Sequence, residues 1–131
     1  MVMIYIVDTH AWIEYFQAGK KAPLLKKLFD SQADKFVTME CSLAELRGYA
    51  LRNNADFNSL YNIVISNSLI FPVLRDQWIN AAKIKHDIRK IKPKFGLMDA
   101  ILVAKQRELK CKIISGDYDF KNLKDILYLG D

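Results

Sequence analysis

Cysteine, proline and glycine are all scarce in this chain, with two, three and five residues among 131. Cys41 and Cys111 stand apart beside apolar residues with no CxxC spacing, which argues against a disulfide framework or a zinc site and for two buried, reduced thiols. No linker, repeat or low-complexity tract interrupts the chain. No apolar run approaches the roughly 18 residues of a membrane span, and the opening MVMIYIVDTH is too short and meets an acid too early for a signal peptide. The expected location is therefore the cytoplasm. His10 and His86 lack ligand-like spacing and are expected at the surface or in packing.

What the chain does have is apolar mass and positive charge. With 51% hydrophobic residues it can bury a core, so disorder is excluded and residues 1–131 read as a single domain. A net charge of +5 favours acidic partners, although a balance of this size is common in proteins that never touch nucleic acid.

Strand-like and helix-like segments alternate. MIYIV (3–7), KFVTM (35–39), SLIFPVL around Pro72, CKIIS (111–115) and DILYL (125–129) read as strands, the first as a buried strand of a parallel sheet. Between them, Thr9 is placed to cap a helix through HAWIEYF, and Pro23 sits in the first turn of a second. Ser42 with Glu45 forms a capping-box pattern, Asp56 and Asp76 head two further helices, and LMDAILVAKQREL forms the last. Ile84, Ile88 and Ile91 share one stripe, with Lys83, Lys85, Arg89 and Lys90 largely outside it; DYDFKNL is a loop or short helix. The expected fold is α/β: three layers, with a central, mostly parallel sheet of four to five strands flanked by helices.

Acids gather at the ends of the apolar runs. Asp8 follows the first strand, Asp117 and Asp119 follow the fourth, and Asp99 lies inside FGLMDAILVA. Glu45 falls in the first turn of the helix after the second strand. In a parallel sheet such positions converge outside the carboxyl ends of the strands. Adjacent carboxylates repel one another unless some take up protons or a hard cation binds them, so Asp8, Glu45, Asp99 and Asp117 read as one metal pocket for phosphodiester hydrolysis. Each also has a local reading. Asp8 suits a helix N-terminus, Glu45 suits the capping box, and Asp117 and Asp119 suit a turn around Tyr118. Asp99, between Met98 and Ala100, is the hardest to explain locally.

In order and spacing, IVDTHAWIEYF, LAEL, GLMDAILVA and IISGDYDF resemble the PIN-domain ribonucleases, and among them the VapC-type toxins of toxin–antitoxin pairs. The resemblance covers nearly the whole chain. It implies that Asp8, Glu45, Asp99 and Asp117 bind Mg²⁺ or Mn²⁺, with Thr9, Ser115 and Asp119 in support, and it leaves open whether Asp117 or Asp119 closes the site. The implied activity is metal-dependent endonucleolytic cleavage of single-stranded RNA. The implied partners are an RNA substrate, a small antitoxin and a second copy of the chain. Trp12, Tyr15, Phe16, Leu24 and Leu28 of the early helices exceed what one small core needs, which makes them either a dimer surface or further core. The alternatives are a non-catalytic PIN-like module that binds RNA or protein, and a phosphoacceptor receiver domain. The latter lacks its lysine after a late strand.

Overall fold

The computed structural model describes residues 2–130. Five strands form one sheet: β1 (Ile4–Val7), β2 (Lys35–Met39), β3 (Leu69–Phe71), β4 (Lys112–Ser115) and β5 (Ile126–Tyr128). Every pairing is parallel, in the order β3-β2-β1-β4-β5. The helices are α1 (Thr9–Phe16), α2 (Ala22–Asp30), α3 (Glu40–Asn53), α4 (Phe57–Asn67), α5 (Arg75–Ile88) and α6 (Leu97–Leu109), and residues Tyr118–Phe120 make one 3₁₀ turn. None of these helices is long and apolar enough to cross a membrane.

The three layers follow from strand periodicity, since successive side chains leave a strand on opposite faces. Ile6, Val37, Met39 and Ile113 pack against Ala81, Ile84 and Ile88 of α5 and Ala100, Ile101 and Val103 of α6. Tyr5, Val7, Phe36 and Ile114 face the other way, against Trp12, Leu25, Leu46, Tyr49, Leu60 and Val64 of α1 to α4. Both cysteines are free and buried. Trp12 is in the core, where its Nε1 donates to Thr38 Oγ1 at 3.1 Å and its ring stacks on Phe29. Tyr15, Phe16 and Leu28 pack partly buried beside it, so of the five early-helix residues only Leu24 is exposed.

Helix starts depart from expectation in three places. The cap of α1 is Asp8, whose Oδ1 accepts from Ala11 N at 2.8 Å, while Thr9 is already helical. Helix α3 begins two residues before Ser42, at Glu40, whose carboxylate accepts from Val73 N; Ser42 is buried and the capping box does not form. Helix α5 begins at Arg75 with Gln77 Oε1 accepting from Leu74 N, so Asp76 lies in the first turn rather than at the cap. At the far end of α5 the helix stops at Ile88, and Ile91, expected on the apolar stripe, is 73% exposed. Asp56 does cap α4, accepting from Asn58 N and Ser59 Oγ.

Candidate metal centre

The chain runs outward from β1 through β2 to β3, then returns to place β4 on the other side of β1. Strand order reverses there, and a crevice opens outside the carboxyl ends of β1 and β4. The register pairs Val7 with Ile114, which brings the next residues, Asp8 and Ser115, side by side, and Asp8 N donates to Ile114 O at 3.1 Å.

Asp8 is only 3% exposed. Its two oxygens accept from different donors: Oδ1 from Ala11 N and Oδ2 from Ser115 Oγ, in a short contact. Ser115 Oγ in turn accepts from Asp117 N at 2.9 Å, and Asp117 Oδ1 accepts from Asp119 N at 2.9 Å. A single relay thus holds both ends of the turn after β4 against the end of β1. Phe120, fully buried and edge-on to Phe95 at 5.6 Å, pins the turn from below. On the other wall, Thr9 Oγ1 donates to Glu45 Oε1 at 2.7 Å, so the residue expected to cap α1 orients the acid of α3 instead.

Asp99 enters from the first turn of α6. One carboxylate oxygen from each of Asp99, Asp117 and Asp119 lies within 4.8 Å of the others. Asp8, Glu45, Asp99 and Asp117 line one cleft of about 210 Å³ with Thr9, Ile13 and Leu102. Burial, reinforced by the charges of Asp117, Asp8, Glu45 and Asp119, pushes the Asp99 carboxyl up to about 7. Burial also pushes Asp8 up to about 6, against the opposing pull of the Ser115 hydroxyl, the Ala11 N–H and His10. In both, burial is the larger cause; the neighbouring carboxylates add most at Asp99, and His10 partly offsets them at Asp8.

The donors are oxygens of carboxylates and hydroxyls, the chemistry that suits a hard divalent cation. Each Asp8 oxygen accepts one hydrogen bond and keeps a further lone pair. All seven residues expected at the pocket therefore lie in or against this cleft. The closest carboxylate trio contains Asp119 together with Asp117 rather than one instead of the other, and Asp8 and Glu45 stand outside that trio.

Two cleft residues escape a reading of spacing alone. His10 Nε2 stands 3.5 Å from Asp117 Oδ2, and Arg52 closes one side. His10 could have been found from its place in the first turn after Asp8. Arg52 could have been found from its distance of seven residues, two helical turns, from Glu45 on the same face of α3. Gly48, one turn before Arg52, keeps that path open, since a Cβ there would lie 3.1 Å from Arg52 Nη1.

Fold and site together define a parallel α/β protein with a multi-carboxylate cleft at its topological switch point. The chain belongs to the PIN-domain family, whose model matches residues 5–126. Similar solved structures include VapBC2 from Rickettsia felis bound to a promoter DNA fragment, with 14% identity, 98% of each chain covered and a TM-score of 0.71. VapBC-1 from nontypeable Haemophilus influenzae is 16% identical over 98% of each chain, with a TM-score of 0.69. VapC20 of Mycobacterium tuberculosis, a toxin that cleaves the sarcin–ricin loop, is 16% identical over 89% of this chain and 91% of its own, with a TM-score of 0.68. At these identities the likeness is one of fold. No curated protein matches in sequence.

Proposed function

We propose that this chain is a metal-dependent endoribonuclease acting on single-stranded RNA and the toxin of a VapBC-type toxin–antitoxin pair, working as a single-domain homodimer in the cytoplasm. The observation that carries the nuclease reading is the cleft itself, in which a buried Asp8 and a half-buried Asp99 stand among other carboxylates and both are shifted upward. Membership of the PIN family and likeness in fold to VapBC complexes support the toxin reading.

Asp99, Asp117 and Asp119 would hold Mg²⁺ or Mn²⁺ from one side, and Asp8 and Glu45 would complete the shell directly or through water. When bound, the cation supplies Lewis acidity toward a phosphodiester and water. The protein's own part is positional. Ser115 fixes the Asp8 carboxylate and the backbone of Asp117 together, and Thr9 fixes Glu45 Oε1 so that this carboxylate can accept a proton from attacking water. Arg52, facing the acids, is placed to hold a phosphate oxygen of the RNA.

The test is direct. Purified protein cleaves single-stranded RNA with Mg²⁺ or Mn²⁺, stops when chelator is added, and loses at least about a hundredfold in rate on Asp99→Ala or Asp8→Asn while circular dichroism shows the fold intact. Cleavage that ignores chelator and both substitutions rejects the assigned site. Absence of cleavage under every divalent ion favours the non-catalytic module.

A further inference from the structure

Tyr118 sits between two of the three clustered acids, yet it is 69% exposed. The geometry of the 3₁₀ turn explains the contrast. Side chains in such a turn leave the axis about 120° apart, so burying Phe120 and turning Asp119 toward Asp99 leaves Tyr118 directed away from both. Lys92, from the connection between α5 and α6, places Nζ 4.9 Å from the Tyr118 ring centroid and donates to Tyr118 O at 3.2 Å. Lys121, immediately past the turn, places Nζ 5.8 Å from the same ring and 5.8 Å from the Tyr128 ring. An exposed aromatic ring attended by two ammonium groups therefore stands on the turn that carries Asp117 and Asp119.

From this arrangement we infer that Tyr118, with Lys92 and Lys121, forms a platform for one unpaired nucleotide next to the scissile position, the ring stacking on the base and the lysines holding flanking phosphates. The inference rests on the ribonuclease reading and adds to it the element that selects single strands. A polyanion approaching a cluster of carboxylates is repelled unless cations meet it at the rim, and here the cations come with an aromatic surface. Stacking on a ring is open to any base but only to one released from pairing, which makes the platform blind to sequence and sensitive to strandedness. Both lysine heads end flexible side chains, so each can exchange its present contacts for a phosphate as a base takes the ring face.

Binding can be separated from cutting with the Asp99→Asn protein in chelator, using a fluorescein-labelled single-stranded oligoribonucleotide and its duplex as probes. Tyr118→Ala should weaken single-strand binding about tenfold and leave duplex binding unchanged, while Tyr118→Phe, which keeps the ring, stays within about twofold. A 2-aminopurine placed in the strand should be quenched on binding by the parent and not by Tyr118→Ala. Lys92→Ala with Lys121→Ala should lower the slope of log affinity against log salt by about 0.7 for each phosphate contact removed. Equal single-strand affinity and equal quenching in Tyr118→Ala, or a parent that binds no single strand, overturns the platform. A platform that passes these tests in a protein that cuts no RNA with any divalent ion overturns the nuclease reading and leaves the binding site standing.

Discussion

Asp99 bears the largest electrostatic load among the acids of the cleft. Burial and its acidic neighbours raise its carboxyl from 3.8 to about 7, and Asp8 rises from 3.8 to about 6. Between those values the native protein holds protons that the unfolded chain has released, so stability falls as pH rises through the interval. The metal-free protein should therefore lose thermal stability from about pH 5 to about pH 7, a window set by Asp8 and Asp99. Asp56, Asp87 and Glu108, whose carboxyls are lowered, act only below it. Asp99→Asn removes the charge and should raise stability at pH 7 by on the order of 1 kcal/mol while flattening the pH slope. Added Mg²⁺ or Mn²⁺ should stabilise the parent and have far less effect on the variant. Calorimetry across this pH range checks both, and a parent whose melting temperature climbs with pH over the interval contradicts the assignment.

The element that decides the site is the short turn after β4, which is held by a buried ring and a hydroxyl. Phe120 anchors it against Phe95, and the Ser115 hydroxyl ties it to Asp8. Phe120→Ala should cost about 3–5 kcal/mol by opening a cavity, and should abolish cleavage even at temperatures where the protein remains folded, because Asp117 and Asp119 lose their support. Phe120→Leu should keep most of both; chemical denaturation paired with a cleavage assay separates the two effects. Apolar periodicity made the strands and most helices legible, since Ile6 and Val7 could only face opposite layers. Helix starts were less legible. Asp8 and Thr9 are adjacent and both suit a cap, and only the placement of Glu45 decides which hydroxyl or carboxylate goes where. The acids were readable because charges at the ends of apolar runs need an explanation, whereas the trio of Asp99, Asp117 and Asp119 depends on how α6 leans over the sheet. No local pattern encodes that.

At the scale of the molecule, an acidic cleft belongs to a chain with a net positive charge. The net charge of +5 should make association with RNA weaken steeply with salt, while cleavage of bound RNA under single-turnover conditions changes little. Stopped-flow binding and quench-flow cleavage at matched ionic strengths distinguish the two, and equal salt dependence would place the basic residues in the chemical step. Sedimentation at equilibrium should give twice the 15.2 kDa mass of the chain if the homodimer forms. The bond between Asp8 and Ser115 joins residues 107 positions apart, and it carries a consequence for the birth of the protein. At a synthesis rate of roughly 5–20 residues per second, the ribosome needs roughly 5 to 20 s to travel from the codon of one partner to that of the other. Throughout that time the nascent chain has its first carboxylate but not the strand that seats it. The acidic cleft is thus closed only near the end of synthesis.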